Sequence, residues 1–411
     1  MRSGVLCKSV SEKPIGDYTE LYNMRKRCIN NTAGMPPYSP SCSIDDKYVF
    51  ISGQVALDPN STEKILVGAG DVSKEATQVL KNVSSLLQKS GASWDSALFV
   101  QIFLTDISNY GALNAAYEEA LSGCEKPPAR ACFAVKRLPR GALVEIECIA
   151  LKQEGENIKR DTLPGNKLFS KSVMTDDLVF VAGQLALDPA SGTKELVAKG
   201  DPAGETRQAL KNLQSILENS GSSLDNVVKV TVLLNSIDAY AAVNEVYKEF
   251  FKSNPPARAA FEVAQLPLSG QVEIYCTATK TNGPRSVISG NSAVPVYSPA
   301  VLATEKKVLF VSGQVALNPD SDSKELVGGG DVVQETTQAI SNLKGVLESS
   351  GTTLSNVCKV NIFIMNMDDY AKINEVYINF FGKENLPARA VVQVANLPLG
   401  ALVELECVAV C

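Results

Sequence analysis

The order of apolar and polar residues along the chain predicts strands that alternate with helices. Residues 48–57 (YVFISGQVAL) and 98–105 (LFVQIFLT) are rich in β-branched and aromatic residues, so each predicts a strand. Between them, apolar residues recur every three or four positions from about Asp71 to Ser90, which predicts an amphipathic helix closed by Gly91. A second helix is predicted from about Asn109 to Leu121. This alternation indicates an α+β fold, a sheet with two helices on one face.

The whole pattern occurs three times in tandem. The tripeptides Ser-Gly-Gln, Ala-Gly-Gln and Ser-Gly-Gln begin at positions 52, 182 and 312, so the period is that of a domain rather than of a solenoid unit. Polar segments that contain Gly or Pro (KQEGENIKRD and KTNGPR) separate the copies. We therefore expect an N-terminal extension over residues 1–23 and three repeats over residues 24–155, 156–283 and 284–411.

Each repeat ends in a stretch that carries an arginine directly after Pro-Ala and a glutamate 15 residues later. The stretch is typical of two strands joined by a Leu-Pro turn, which would bring the arginine and glutamate of one repeat close together. An arginine can hold a carboxylate at two points, and a neighbouring carboxyl group can move protons or position water. The predicted catalytic pairs are Arg130 with Glu145, Arg258 with Glu273, and Arg389 with Glu404.

Composition excludes several classes of function. The 411 residues include no histidine, which removes Ser-His-Asp and Cys-His catalysis and the histidine-bound zinc sites. The net charge of −6 argues against a nucleic-acid partner. No apolar run is long enough to span a membrane, so no membrane partner is expected. We expect neither a cofactor nor a metal.

The cysteines predict core residues rather than a disulfide framework. The chain has 10 cysteines but no Cys-x-x-Cys pair. Cys148, Cys276 and Cys407 recur at one position of each repeat within an apolar strand, where a free cysteine is usually buried. The expected location is the reducing cytoplasm.

Several segments together resemble the RidA (YjgF) family of reactive-intermediate deaminases. They are YSP at 38–40, VFISGQVALDP, the helix NAAYEEAL, PPAR and the strand LPRGALVEIEC, and their ordered set recurs in all three repeats. The resemblance implies chorismate-mutase-like domains, assembled in the family as homotrimers with clefts between subunits. It also implies hydrolysis, without a cofactor, of 2-imino and enamine acids to 2-oxo acids and ammonia.

The resemblance also assigns roles to residues. The arginine would hold the substrate carboxylate, the glutamate would act on the catalytic water, and a tyrosine, an asparagine and a cysteine would line the cleft. In the mechanism that we expect from these residues, backbone groups at Gly53, Gly183 and Gly313 orient the rest of the substrate. Repeat 1 matches with Tyr38, Asn114, Arg130, Cys132 and Glu145, and repeat 3 with Tyr297, Asn374, Arg389 and Glu404 but Val391 in place of the cysteine. Repeat 2 keeps Asn244, Arg258 and Glu273 but has Phe169 and Ala260. Repeat 2 is therefore expected to hold the weakened site.

Plainer interpretations of the same residues remain open. Each arginine could pair with a surface acid, and Glu147, on the same strand face as Glu145, could be a solvated strand residue. Cys132 could be core filler, and Asn114 a hydrogen bonder on a helix surface. The alternative functions are a module that binds small carboxylates or serves as a chaperone or scaffold without turnover, and a ribonuclease or translation inhibitor. The acidic balance and the lack of histidine argue against the latter.

The number of repeats predicts the assembly. Three copies of one interface close a rotationally symmetric ring, and covalent linkage supplies the three copies without a second chain. We therefore expect a monomeric chain that folds as an intramolecular pseudo-trimer, with each cleft built from two neighbouring repeats.

Overall fold

The computed structural model describes residues 26–29, 37–61, 63–152, 157–288, 296–305, 307–321 and 325–411. The predicted N-terminal extension, residues 1–23, lies outside the described residues. Each repeat contains one six-stranded sheet and two α-helices.

The three sheets share one topology. Repeat 1 contains β1 (Arg27–Ile29), β2 (Ser41–Ile44), β3 (Tyr48–Gln54), α1 (Val72–Lys89), β4 (Ala97–Leu104), α2 (Tyr110–Ala120), β5 (Ala129–Ala134) and β6 (Val144–Leu151). The sheet order is β1-β2-β3-β6-β4-β5, and within it only β4 and β5 are parallel.

The other two repeats follow the same order. Repeat 2 contains β7 (Lys159–Asp161), β8 (Ser172–Met174), β9 (Leu178–Gln184), α3 (Pro202–Asn219), β10 (Val227–Leu234), α4 (Tyr240–Phe250), β11 (Ala257–Glu262) and β12 (Val272–Thr279). Repeat 3 contains β13 (Arg285–Ile288), β14 (Ala300–Ala303), β15 (Val308–Gln314), α5 (Val332–Ser349), β16 (Val357–Ile364), α6 (Tyr370–Phe381), β17 (Ala388–Gln393) and β18 (Val403–Val410).

The predicted helices are confirmed, and their ends have local causes. Asp71 caps α1 because its side chain accepts hydrogen bonds from the backbone N–H groups of Ser73 and Lys74. Gly91 follows the helix with φ of 74°, a conformation that glycine adopts without a steric penalty. The strand predicted over residues 48–57 ends earlier, at Gln54.

The predicted pairing of arginine and glutamate within one repeat is wrong. The strands β5 and β6 do not form a hairpin, because β4 lies between them. Val144 and Ile146 pack with α1 and α2 in one core, so Glu145 points to the opposite face of the sheet. Arg130 lies on the helix side, where it donates a hydrogen bond to Asn114 of α2. The two charges of one repeat therefore lie on opposite faces.

The three repeats pack against each other through their helix-free faces. Phe133, Phe261 and Phe363 belong to one buried cluster that all three repeats share. Backbone hydrogen bonds also connect the last residues of β5, β11 and β17 with the segments that follow these strands in the neighbouring repeats. They join Ala134 N to Gln265 O (2.9 Å), Lys136 N to Gln393 O (2.8 Å) and Glu262 N to Asn396 O (3.0 Å). The predicted fold, three chorismate-mutase-like domains packed as an intramolecular pseudo-trimer, is confirmed.

Buried charges near the centre of this assembly make its three interfaces unequal. Lys359 of repeat 3 donates to Glu147 of repeat 1 at 2.5 Å, and Lys229 of repeat 2 pairs with Glu406 of repeat 3. Between repeats 1 and 2, the equivalent positions hold stacked aromatic rings with centroids 5.3 Å apart. These rings belong to Phe99 and Tyr275. Glu147 is thus a buried interface residue rather than a solvated one, being 8% exposed.

The cysteines divide into core residues and one disulfide. Cys148, Cys276 and Cys407 are buried beneath the helices, as predicted. Cys28 and Cys42 form a disulfide between β1 and β2, which the low cysteine density did not lead us to expect. In the described part of the chain, no helix is both long and apolar enough to cross a membrane.

The ion pair between Lys359 and Glu147 can be tested by substitution. Replacing Lys359 by Phe leaves Glu147 buried without its partner and should lower the free energy of unfolding by about 3–5 kcal/mol. The double variant Lys359→Phe/Glu147→Tyr recreates the Phe99–Tyr275 arrangement and should recover most of that loss. Urea denaturation measures both. A Lys359→Phe chain as stable as the parent would show that the pair does not hold the interface together.

Candidate functional site

Each of the three arginines lies in a cleft between two repeats. The Arg389 cleft is a cavity of about 300 Å³ lined by Arg389 and Val391 of repeat 3 and by Tyr38, Gly53 and Glu145 of repeat 1. Its arginine and its glutamate therefore come from different repeats.

The Arg258 cleft has the same construction between repeats 2 and 3. It measures about 480 Å³, and the predicted site residues that line it are Asn244, Arg258 and Ala260 of repeat 2 with Tyr297, Gly313 and Glu404 of repeat 3. The clefts confirm that the lining is shared between repeats.

The equivalent interface between repeats 1 and 2 surrounds Arg130, and we call it the Arg130 cleft. Phe169 of repeat 2 stacks on the guanidinium of Arg130, with its ring centroid 5.5 Å from Cζ. Glu273 of repeat 2 also lies close enough to Arg130 for the arginine to act on its pKa, which burial raises and the positive charge of Arg130 lowers. Phe169 is therefore in the same cleft as Arg130 and Cys132, whereas the sequence had placed it with Arg258. The altered cleft is that of Arg130.

The arginines are buried and oriented by the second helix of their own repeat. Arg130, Arg258 and Arg389 are 4%, 3% and 2% exposed, so they are not surface ion-pair residues. The predicted asparagines hold them. Arg Nη1 donates to the Oδ1 of Asn114, Asn244 and Asn374 at 2.9, 2.6 and 2.8 Å in the three repeats. The asparagines thus contact the arginine, which fixes the direction of its fork.

Two tyrosines that flank each asparagine were not predicted from the sequence. Arg130 Nη2 donates to the hydroxyl of Tyr110 at 2.7 Å, and the ring of Tyr117 lies 5.2 Å from the guanidinium. Repeats 2 and 3 place the rings of Tyr240, Tyr247, Tyr370 and Tyr377 around their arginines. Arg389 Nη2 donates to the hydroxyl of Tyr370 at 3.2 Å, whereas Arg258 Nη2 has no hydrogen-bond partner among the described residues. Positions 110, 114 and 117 lie on one face of a helix, so their helical spacing was the available signal.

The glutamates are buried and retain an unused oxygen. Glu145, Glu273 and Glu404 are 2%, 4% and 3% exposed, and the Oε2 atom of each is buried without a hydrogen-bond partner. Glu75 is equally buried, but it accepts hydrogen bonds from Gly70 N (3.0 Å) and Leu143 N (2.8 Å). A buried carboxyl group left unpaired beside a cleft is typical of a functional site.

Burial also changes the protonation of these glutamates. It raises the pKa of Glu145, Glu273 and Glu404 to about 8, although the arginine across each cleft opposes the shift. Among the described residues, none of the three forms an ion pair within 4 Å. Each cleft therefore presents a fixed positive charge opposite a carboxyl group that is mostly protonated at neutral pH.

The glycine before each Gln makes room for the carboxyl group. A Cβ atom at Gly53 would lie 1.8 Å from Glu145 Oε1, and one at Gly183 or Gly313 would lie 1.8 Å from Glu273 Oε1 or 1.7 Å from Glu404 Oε1. The strand register shifts between Ile51 and Gln54, so this glycine lies in a β-bulge. Gln54 Nε2 donates to the carbonyls of Ser52 (3.0 Å) and Gly53 (3.3 Å), which satisfies the bulged backbone.

The serine of Ser-Gly-Gln fixes the arginine strand of the neighbouring repeat. Ser52 Oγ accepts from the backbone N–H of Arg389 at 2.9 Å, and Ser312 Oγ accepts from that of Arg258 at 2.8 Å. Repeat 2 has Ala182 at this position and cannot offer this bond to Arg130. The Arg130 cleft thus lacks a serine and a tyrosine hydroxyl that the other two clefts possess.

The remaining predicted residues have clear environments. Cys132 is 4% exposed, lies within the helix-side core and has its thiol pKa raised to about 12 by burial, so it is not a nucleophile at neutral pH. Burial raises the pKa of Tyr297 to about 12 and that of Tyr38 as well, which keeps both phenols protonated. No group of three potential metal ligands occurs among the residues that the structure describes.

Comparisons with known proteins match each repeat separately. The model of the family described as Endoribonuclease L-PSP matches residues 28–152, 161–280 and 289–411. A human 2-iminobutanoate/2-iminopropanoate deaminase is 46% identical over 121 residues, which are 29% of this chain and 85% of the relative. The deaminase of the same description from Capra hircus is 45% identical over 121 residues, with the same coverage.

One solved structure matches more than a single repeat. A crystal structure of chorismatase aligns over 77% of this chain and 93% of its own length, with a TM-score of 0.52 and 15% sequence identity. At this identity, the match supports the fold alone.

The raised glutamate pKa values predict how stability changes with pH. A carboxyl group that ionises near pH 8 when folded and near 4.5 when unfolded binds more protons in the folded state between those values. Its contribution is complete below about pH 4.5 and is lost as the pH rises to about 8. The chain has no histidine to titrate in this window.

The test compares the parent with the triple variant Glu145→Gln/Glu273→Gln/Glu404→Gln by urea denaturation at pH 5 and pH 8.5. The variant, which cannot ionise at these positions, should lose less stability than the parent between the two pH values. Equal losses in the two chains would show that the carboxyl groups ionise normally.

Proposed function

Because the chain belongs to the Endoribonuclease L-PSP (RidA/YjgF) family, we propose that it hydrolyses reactive 2-imino and enamine acids to 2-oxo acids and ammonia. The observation that carries the proposal is the composite cleft, in which a buried, oriented arginine faces a buried, protonated glutamate without forming an ion pair with it. A small carboxylate with an adjacent imine fits between two such groups. The names of the deaminase relatives support this choice of substrate.

The arginine binds the substrate. In the Arg389 cleft, Asn374 and Tyr370 hold Nη1 and Nη2 at 2.8 and 3.2 Å, while Nε has no partner. The fixed guanidinium attracts the carboxylate of the imino acid and sets the position of the neighbouring imine carbon. Holding the substrate in this way replaces a bimolecular encounter between imine and acid by an oriented contact.

The glutamate moves the protons. Protonated Glu145 donates its proton to the imine nitrogen, and the resulting carboxylate then takes a proton from water as the water oxygen adds to the imine carbon. The same group returns the proton to the nitrogen, accepts the hydroxyl proton as the C–N bond breaks, and ends protonated. One imine and one water thus give one 2-oxo acid and one ammonia. An already electrophilic imine needs no stronger nucleophile, which agrees with a site that contains no histidine.

The covalent linkage supports a monomeric functional unit. All three interfaces and all three clefts are formed within one chain, so the assembly needs no second copy. The seven free thiols among the described cysteines favour a reducing compartment such as the cytoplasm, while the single Cys28–Cys42 disulfide does not.

The clefts should differ in activity. We expect chains that retain only Arg258 or only Arg389, with the other two arginines replaced by Ala, to hydrolyse 2-iminobutanoate faster than a chain that retains only Arg130. The difference should be about 10-fold, the value of one lost hydrogen bond at the site. This order reverses the one that the sequence predicts, because Phe169 lies in the Arg130 cleft.

The measurement is the rate of imine loss behind a threonine dehydratase, with the triple Arg→Ala chain as the blank. Adding Phe169→Tyr and Ala182→Ser to the chain that retains only Arg130 should raise its rate. A triple Arg→Ala chain as fast as the parent would disprove the proposed function. If the parent chain binds the substrate but does not turn it over, a carboxylate-binding module is favoured instead.

A further inference from the structure

The Leu-Pro turn of each repeat carries one residue at the rim of a cleft, and the chemistry of that residue differs between repeats. The equivalent positions are Arg140, Leu268 and Leu399, with φ of 62°, 58° and 61°. Arg140 lines the Arg389 cleft, and Leu399 lines the Arg258 cleft. The backbone conformation is the same, so the rim of the Arg389 cleft has a cationic side chain at the position where the rim of the Arg258 cleft has an apolar one.

The Arg389 cleft is therefore lined by two arginines, the buried Arg389 and the exposed Arg140. Arg140 is close enough to Tyr38, which also lines the cleft, to act electrostatically on its buried phenol. Its hydrogen bond to the Lys64 carbonyl is long, at 3.4 Å, and no carboxylate lies within 4 Å of it among the described residues. Glu145, mostly protonated at neutral pH, does not neutralise the pair. A ligand with two carboxylates matches this charge pattern.

The Arg258 cleft has the opposite rim. Leu399 is 50% exposed there, beside Ile237, Ala260 and Leu317. The cation at this rim, Lys248, is already paired with Glu245 at 2.7 Å. One unneutralised arginine and an apolar rim match a ligand with one carboxylate and an apolar side chain.

We propose that Arg140 is a second carboxylate-binding residue, which makes the Arg389 cleft prefer 2-imino acids with a short acidic side chain, while Leu399 makes the Arg258 cleft prefer apolar side chains. The inference rests on the proposed function and adds a division of substrates between clefts of one chain.

The test uses chains with a single working cleft. Arg130→Ala/Arg258→Ala leaves the Arg389 cleft, and Arg130→Ala/Arg389→Ala leaves the Arg258 cleft. Each is assayed for loss of two imines, the one formed from aspartate by an amino acid oxidase and 2-iminobutanoate. The readout is the ratio of kcat/KM for the acidic imine to that for the apolar imine.

In the Arg389-only chain, Arg140→Leu should lower this ratio by about 10- to 100-fold, the value of a charge-assisted hydrogen bond. Arg140→Lys should keep most of the ratio, because it preserves the charge. Lys136→Leu removes a cation from an exposed position of the same loop outside the cleft and should not change the ratio. In the Arg258-only chain, Leu399→Arg should raise the ratio.

The outcomes separate the two claims. If the parent hydrolyses neither imine, the proposed function fails. If it hydrolyses 2-iminobutanoate but Arg140→Leu leaves the ratio unchanged, the division of substrates is wrong and the proposed function stands. A ratio that falls equally with Lys136→Leu would show only a general effect of net charge and would overturn the role of Arg140.

Discussion

The alternation of side chains along a β-strand is the constraint on which this molecule depends. Residues 144, 146 and 148 point to the helices, so Glu145 must point away from them. Arg130 lies on the helix side of its own sheet, held by α2. A single repeat therefore separates its acid from its cation by the thickness of a sheet. Only a neighbouring repeat, whose edge strand docks beside β3, β9 or β15, brings an arginine to the glutamate.

The covalent linkage allows the three interfaces to diverge. The differences concentrate at the interface between repeats 1 and 2, to which repeat 1 contributes Arg130. At that interface an aromatic stack replaces the central ion pair, Ala182 replaces the serine, and Phe169 replaces the tyrosine. The other two interfaces keep the Lys–Glu pair and the serine contact. In a homotrimer every interface must carry the same residues, whereas a tandem chain can change one cleft and leave two unaltered.

The sequence predicted the fold and most residues of the clefts, but not how those residues combine. Periodicity identified α1 and β4 because helix and strand periods are local properties. The error over Arg130 and Glu145 arose because the insertion of β4 between β5 and β6 is a matter of strand order, which no local pattern records. The same limit placed Phe169 in the wrong cleft. Tyr110 and Tyr117 were predictable from their helical spacing to Asn114, whereas the rim position of Arg140 needed the packing of a neighbouring repeat.

In the proposed mechanism, each catalytic pair spans two repeats. The most direct test starts from the Arg389-only chain and adds either Glu145→Gln or Glu404→Gln, then measures kcat for 2-iminobutanoate. We expect Glu145→Gln, in the neighbouring repeat, to be slower by about 100-fold or more, because an acid–base group is lost. If Glu404→Gln, in the same repeat as Arg389, is the slower variant, each pair lies within one repeat and the proposed mechanism is wrong.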